Sequence, residues 1–391
     1  MEDTVFPLNT PTAEQCSTVV ASLRAAGFDE ANLCQALHIK DLSRLGAVEW
    51  KEIHFDCLPE RLRCLINLFL YGEKFARADL ERSLGLELVD ALRGTGLVRG
   101  TRQNPDLYVS PVFFYPVAGF LIASDRHDDP DGLPYVAPPD VVMPAIFEGT
   151  LRFLRLLPAA MTGDALDLCG GSGIGALCLG RSAGRSVSVD ITQRATRFAE
   201  FNARLNGCEN VEAVCGDLYD AVLGGRFACI SAHPPYVPAL GSVVIYRDGG
   251  AAGEDITRRI VQGLPAHLAE GGTCYLLTLG RDGEDAIFEQ RVRGWLGEGD
   301  SDFDVVFGLD GVKTPEEVVA SIGKRAKDGP EFAPARLLAV FRELGTKQFV
   351  YGALVIHRHG SAGQRPWTRR MKLSPRLSGV SFDRLISRHH R

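Results

Sequence analysis

The chain has 391 residues, of which 45% are apolar, and a formal net charge of −6 at pH 7. That length favours a smaller and a larger module, and the acidic balance argues against a general polyanion-binding protein. No apolar run is long enough to span a bilayer, and the first residues lack the pattern of a signal peptide. The ten cysteines show neither CxxC pairs nor zinc spacing. We therefore expect a cytoplasmic protein with reduced thiols, no metal and no membrane partner.

Residues 1–125 are predicted to be mainly helical. Helical spacing follows Thr10-Pro11 and recurs over Leu62–Tyr71, and two shorter helical patterns lead into strand-like runs at Leu107–Tyr115 and Phe120–Ala123. Three helices followed by a hairpin indicate a winged-helix-like domain. Its last helix has few basic residues, so we favour a cap or homodimerisation role over DNA binding.

Residues 126–140, rich in Asp and Pro, are predicted to link this domain to a second one over residues 141–357. A helix predicted over Val141–Leu157 is followed by alternating strands and helices, which indicates a doubly wound α/β fold with a largely parallel sheet. Residues 358–391 carry nine Lys and Arg but a single acidic residue, Asp383. This run predicts a solvated basic tail, with RNA or another polyanion as the minor alternative.

The stretch Leu166–Asp190 organises the second domain: a strand, a glycine-dense loop, a helix and a second strand that ends on an acid. Gly171 and Gly173 allow close approach of a ligand, and free N–H groups at the helix start suit an anionic group. The loop predicts an adenosine-containing ligand, and by itself it also fits a dinucleotide pattern. Asp217 follows the third strand, and His233-Pro234-Pro235-Tyr236 follows the fourth.

In order and spacing, these elements resemble the class I S-adenosylmethionine-dependent methyltransferases. Their pattern is a strand ending in DxGxGxG, an acid after each of the next two strands, and [N/D]PP[Y/F] after the fourth. The resemblance covers roughly Val141–His357 and implies a Rossmann-like, seven-stranded sheet. Segment Tyr246–Gly250 and the helix with Arg258-Arg259 are similar to the HemK-like branch, which includes the release-factor glutamine methyltransferases.

The resemblance implies S-adenosylmethionine as the cofactor and suggests its contacts. Asp190 would accept hydrogen bonds from the ribose hydroxyls, Asp217 would accept one from the adenine amino group, and Leu218 would pack on the ring. Capping of a loop or helix is the alternative role for Asp190 and Asp217. The other expected cofactor contacts are Asp167, Cys169, Gly170, Gly171, Gly173, Ile191 and His233.

The residues implied in catalysis are His233, Pro234 and Tyr236. In the NPPY branch, the Asn or Asp side chain and a carbonyl beside the proline accept hydrogens from a planar amine, while the aromatic ring stacks on the acceptor. Here His233 replaces that Asn or Asp, and Cys169 replaces the usual first glycine. A neutral imidazole can accept a hydrogen bond or take a proton, so we predict a base or an acceptor-orienting group. Simple capping of the loop is the alternative.

These features predict methyl transfer to an oxygen or nitrogen of a small-molecule acceptor. One alternative keeps the cofactor and places the methyl group on a protein glutamine or on a nucleobase amino group. Another is a non-methyl use of S-adenosylmethionine, or a cofactor-binding protein without catalysis.

Overall fold

The computed structural model describes residues 6–241, 244–326, 333–360, 364–373 and 379–389. These residues group into two compact units. The first comprises residues 6–151, 171–174 and 193–213, and the second comprises residues 152–170, 175–192 and the described residues from 214 onward. Within the described ranges, no helix is both long enough and apolar enough to cross a membrane.

The helices are α1 (Ala13–Ala25), α2 (Glu30–Ala36), α3 (Glu60–Ile66), α4 (Arg77–Leu84), α5 (Leu86–Gly94), α6 (Glu148–Leu156), α7 (Ile174–Gly180), α8 (Gln193–Leu205), α9 (Asp255–His267), α10 (Phe288–Trp295), α11 (Pro315–Ala326), α12 (Pro334–Glu343) and α13 (Gly379–His389). The strands are β1 (Phe75–Ala76), β2 (Arg99–Gly100), β3 (Leu107–Val109), β4 (Phe113–Val117), β5 (Phe120–Ser124), β6 (Ala165–Leu168), β7 (Ser186–Asp190), β8 (Val211–Cys215), β9 (Phe227–Ala232), β10 (Leu268–Gly283), β11 (Phe303–Lys313), β12 (Thr346–Arg358) and β13 (Thr368–Lys372).

The first unit contains α1–α5 and two small antiparallel sheets. One sheet has the order β1-β3-β2, and the other pairs β4 with β5. The strand-like run predicted over Leu107–Tyr115 is therefore two strands in different sheets, β3 and β4, separated by residues 110–112. The winged-helix-like character of residues 1–125 stays a prediction.

The predicted linker is held to the first unit by ionic contacts. The buried carboxylate of Asp131 pairs with Arg99 at 2.8 Å and with Arg102 at 3.1 Å, and the Lys74 ammonium donates to the Asp131 carbonyl at 2.7 Å. The helix predicted to start at Val141 starts at Glu148 instead. Pro144 explains why residue 143 is not helical, since a proline disfavours helical backbone in the residue before it.

The central sheet has eight strands in the order β13-β11-β12-β10-β9-β6-β7-β8. Neighbours β10, β9, β6 and β7 pair in parallel, whereas β12 is antiparallel to both β10 and β11. The strand order reverses direction between β6 and β9, and ligands of doubly wound sheets bind at the carboxyl ends of the strands at such a point. The predicted doubly wound, Rossmann-like α/β class is confirmed, with one strand more than the predicted seven.

The extra strand comes from the basic segment predicted to be a solvated tail, and that prediction is wrong for residues 368–372. Strand β13 pairs in parallel with β11, from Thr368 opposite Val305 to Lys372 opposite Leu309. Beyond it, α13 buries Phe382 and Ile386 in an apolar cluster with Phe153. This segment is therefore amphipathic despite its high charge. Some of its charged groups are paired with opposite charges inside the fold.

Arg370 is the main example of that neutralisation. Its guanidinium donates to both oxygens of Asp282, at 2.7 and 2.6 Å, and to both oxygens of Glu289, at 2.6 to 3.1 Å. Both carboxylates are buried. Burial alone would raise the pKa of Asp282, but hydrogen bonds from Arg370, from Gln348 and from the Phe288 N–H hold that pKa below its ordinary value.

Replacing Arg370 should therefore destabilise the protein. Arg370→Met leaves two buried carboxylates without their cation, and we expect a loss of about 3 kcal/mol in the free energy of unfolding. Urea unfolding measures this loss, and Arg369→Met, at the exposed neighbouring position, is the matched control. Equal stability of the two variants would contradict the role given to Arg370.

Candidate functional site

The register between β6 and β9 brings two predicted loops side by side. Leu168, the last residue of β6, is paired with Ala232, the last residue of β9. Cys169 and His233 follow them directly, so the glycine loop (residues 169–173) and the His-Pro-Pro-Tyr loop (residues 233–236) leave adjacent strands at the same level. The sheet thus places both motifs at its reversal point.

Asp167 fixes the start of the glycine loop from within the sheet. Its Oδ1 accepts from the Ser231 hydroxyl at 2.6 Å, and its Oδ2 accepts from the Ala176 N–H at 3.1 Å. A Cβ at Gly175 would overlap this carboxylate, so a glycine is needed there. Burial raises the pKa of Asp167 to about 7; the hydrogen bonds from Ser231 and Ala176 oppose the rise, and the nearby Asp190 carboxylate adds to it.

The glycine loop uses left-handed backbone at alternate positions. Cys169 has φ +58°, Gly171 has φ +54° and Gly173 has φ +80°. A cysteine in this region is strained, and such strain is typical of functional sites. The Gly170 N–H donates to the Val189 carbonyl at 3.0 Å, and a Cβ at Gly170 would overlap the Ser188 hydroxyl. The loop therefore lies directly against β7.

Helix α8 fixes the second half of the glycine loop. A Cβ at Gly173 would lie 2.8 Å from the Cβ of Ala199, so a glycine is required for this close packing. Asn202 donates from its amide to the Ser172 carbonyl at 2.9 Å and to the Ala123 carbonyl at 3.0 Å, and it accepts from the Ala123 N–H at 2.8 Å. One buried amide thus binds the loop and the strand β5 to the same helix.

The acids after β7 and β8 differ in what they contact. Oδ1 of Asp190 accepts from the Thr192 N–H at 3.0 Å and from its hydroxyl at 3.2 Å, so this residue does cap its own turn. Asp217 makes no such cap; its Oδ2 instead accepts from Arg259 at 2.8 Å. Burial raises the pKa of the Cys169 thiol, and the Asp190, Asp167 and Asp217 carboxylates add to this rise. All three carboxylates thus disfavour the thiolate form of Cys169.

Two apolar side chains stand next to these acids. Ile191 follows Asp190 and is exposed, although it is a large aliphatic residue. Leu218 follows Asp217, is buried, and has left-handed backbone with φ +53°. A branched residue at positive φ is unusual, and here it turns the chain sharply after β8.

His233 belongs to a row of neighbouring aromatic rings. Its ring centroid is 5.6 Å from Phe153, with the planes 19° apart, and 5.8 Å from Tyr236. Tyr236 in turn is 5.6 Å from Tyr351. Nε2 of His233 is buried and has no hydrogen-bond partner among the described residues, and burial lowers the pKa of this histidine to about 4. At neutral pH the ring is therefore neutral.

A second loop packs on the backbone of the His-Pro-Pro-Tyr loop. The Val237 N–H donates to the Arg247 carbonyl at 2.8 Å, and the Gly249 N–H donates to the Val237 carbonyl at 2.9 Å. A Cβ at Gly249 would lie 2.7 Å from the Pro235 carbonyl oxygen and 2.8 Å from the Tyr236 Cα. The Tyr246–Gly250 segment thus packs on the backbone of the His-Pro-Pro-Tyr loop and of Val237, and holds it in place.

No sequence motif marks Phe153 as a neighbour of His233, or Tyr351 as a neighbour of Tyr236. Both are ordinary aromatic residues within amphipathic or apolar elements, and only the fold brings them to the same place. All ten cysteines lie among the described residues and are outside any disulfide. A group of His, Cys, Asp or Glu able to hold a metal ion is absent from the described part of the chain.

Several known proteins similar to this chain are methyltransferases. Residues 145–293 match the methyltransferase small domain. A release factor glutamine methyltransferase from Thermodesulfovibrio yellowstonii is 32% identical over 124 residues, which cover 28% of this chain and 44% of the relative. A ribosomal protein uL3 glutamine methyltransferase from Bradyrhizobium diazoefficiens is 30% identical over 203 residues, which cover 44% of this chain and 62% of the relative.

A second uL3 glutamine methyltransferase, from Bordetella pertussis, is 28% identical over 236 residues, which cover 56% of this chain and 73% of that protein. The match to the Thermodesulfovibrio enzyme spans less than half of that enzyme, and the match to the Bradyrhizobium enzyme spans less than two thirds. The family match over residues 145–293 includes both the glycine loop and the His-Pro-Pro-Tyr loop.

The raised pKa of Asp167 predicts a pH dependence of stability. A carboxyl whose pKa is higher in the folded than in the unfolded state stabilises at low pH, and this contribution is lost as the pH rises through the folded pKa. From pH 5 to pH 8 the wild type should lose about 2.5 kcal/mol through this group. Asp167→Asn, which cannot ionise, should not show that loss.

Urea unfolding of the wild type and the variant at both pH values measures the difference. Asp285→Asn, at an exposed carboxylate, is the control and should keep the wild-type pH dependence. If Asp167→Asn kept it too, the protonation assigned to Asp167 would be wrong.

Proposed function

We propose that this chain, in which residues 145–293 form a class I methyltransferase domain of the HemK-like branch, methylates the side-chain amide nitrogen of a glutamine in a protein. The observation that carries the proposal is the neutral His233, whose Nε2 is buried and unpartnered among the described residues, on the loop beside the glycine loop. The curated relatives are named as protein glutamine methyltransferases, which favours this acceptor over the small molecule expected at first.

The methyl donor of this family is S-adenosylmethionine, whose sulfonium supplies an electrophilic methyl group. The residues present fit such a donor. Around Gly171, a Cβ would meet no described atom within 4 Å, so the loop leaves room for a ligand. The Asp190 and Asp217 carboxylates can accept hydrogen bonds from ribose hydroxyls and from an adenine amino group, and the exposed Ile191 can cover an apolar ring face.

His233 would orient the acceptor rather than deprotonate it. A group with a pKa of about 4 is a weak base at neutral pH, so a base role would contribute little. The same neutral ring keeps a lone pair on one nitrogen, and that lone pair can accept one hydrogen of an amide NH₂. A buried nitrogen without a partner among the described residues gains most when a substrate supplies that hydrogen.

The aromatic rings beside His233 would hold a planar acceptor. Tyr236 lies between His233 and Tyr351, so its ring has neighbours on two sides and little freedom to move. Gly249 fixes the backbone of the same loop. Since positioning supplies most of the rate enhancement for a donor that is already electrophilic, a rigid loop of this kind suits methyl transfer.

The proposal is tested with isotope-labelled S-adenosylmethionine, a release factor and ribosomal protein uL3 as separate acceptors, and peptide mass spectrometry. We expect one methyl group on a glutamine of one acceptor protein. His233→Asn, which restores an amide acceptor, should keep turnover within about tenfold of wild type, while His233→Leu should lose more than about tenfold because the hydrogen-bond acceptor is gone.

Cofactor affinity, measured by calorimetry, should be similar in both variants and in the wild type. A cell extract serves as a further acceptor mixture. If neither protein is labelled and only small molecules of the extract are, the protein acceptor is rejected. Equal loss of turnover in both variants, with a rate that follows a histidine titration in the wild type, would instead assign His233 as a base.

A further inference from the structure

Helix α9 holds the turn that follows Asp217. The ring of Tyr219 stacks on His267, with the centroids 4.4 Å apart and the planes 10° apart, and its hydroxyl donates to the Ile260 carbonyl at 2.9 Å. A Cβ at Gly263 would overlap the Tyr219 ring, so a glycine at this position lets the turn lie directly on the helix. The turn is thus fixed to α9 by a buried aromatic contact.

Arg259 lies on the same helix and reaches the acid at the start of the turn. Its Nη2 donates to Oδ2 of Asp217 at 2.8 Å, and this hydrogen bond raises the pKa of Arg259. Oδ1 of Asp217 has no hydrogen-bond partner among the described side chains and backbone groups. The contact is therefore one-sided, and it leaves one oxygen of the carboxylate for a further donor.

We propose that Arg259 is a positioning residue that makes the protein select adenine over other purines in its cofactor, by holding the Asp217 carboxylate with Oδ1 presented to an exocyclic amino group. This inference rests on the proposed use of S-adenosylmethionine. An ionised carboxylate accepts a hydrogen bond from an amino group and repels a carbonyl oxygen at the same place. A carboxylate that can rotate freely makes this distinction less well.

The geometry also explains why a half-exposed ion pair matters here. The side chains of Arg259 and Asp217 are 45% and 40% exposed, and such a pair adds little to stability by itself. The effect of the pair is local. Tyr219 already holds the turn that follows Asp217, so the Arg259 guanidinium has only to orient the Asp217 carboxylate. Loss of the pair should change recognition of the base more than it changes the stability of the fold.

The neighbouring residue provides a matched control. Arg258 is on the same helix, is 48% exposed, and pairs with Asp255, which is 51% exposed, at 2.7 Å. Arg258→Gln and Arg259→Gln remove the same charge from similar surroundings. A difference between the two variants therefore reports on the contact with Asp217 and not on net charge or helix stability.

The test is calorimetric binding of S-adenosylhomocysteine and of S-inosylhomocysteine, which carries a carbonyl in place of the adenine amino group. We expect the wild type to prefer the adenine compound. Arg259→Gln should weaken binding of that compound about fivefold and bring the two affinities closer together, while Arg258→Gln behaves as the wild type. Arg259→Lys, which keeps the charge, should recover part of the preference.

The effect must also pass through Asp217. In an Asp217→Asn background, Arg259→Gln should change neither affinity, because the ion pair is already absent. Equal preference in Arg259→Gln and Arg258→Gln would overturn the inference, and tighter binding in Arg259→Gln would show that the arginine competes with the base. A wild type that binds neither compound would reject the proposed cofactor, and this inference with it.

Discussion

The pairing of Leu168 with Ala232 is the constraint on which the rest of the site depends. It sets the ends of β6 and β9 at one level, so the chain turns out of the sheet at Cys169 and at His233 side by side. A shift of one residue in this register would exchange the two faces of a strand and bury the wrong side chains. The apolar residues of both strands, which lie in the core of the second unit, prevent that shift.

Polar groups inside the second unit then fix the backbone that leaves these strands. Asp167 is on β6 and accepts hydrogen bonds from Ser231 on β9 and from the start of α7. One carboxylate thus connects the strand before the glycine loop, the helix after it, and the strand before the His-Pro-Pro-Tyr loop. Helix α9 begins beside the loop that packs on residues 235–236 and continues to the turn after Asp217. The adenine side and the acceptor side of the proposed site are therefore supported by one helix, which explains how a chain with few motif residues can position both.

Local sequence was enough to predict the strand and helix alternation and the loops at the strand ends. The glycine loop, Asp217 and the His-Pro-Pro-Tyr loop could be identified because each is a short pattern of residues that are close together in the chain. The eighth strand could not be predicted in this way. The sequence around Arg370 indicates a solvent-exposed charge, because its partners Asp282 and Glu289 are distant in the chain. Phe153 and Tyr351 lie far from His233 in the chain, and no local pattern marks them.

The proposed site is tested most directly by a crystal structure with S-adenosylhomocysteine and an unmethylated peptide that contains the substrate glutamine. We predict that the adenine amino group contacts Asp217, that the sulfur faces the amide nitrogen of the peptide, and that Nε2 of His233 accepts a hydrogen from that amide. A nucleoside bound away from the carboxyl ends of β6 and β9, or a glutamine amide that does not contact His233, would contradict it.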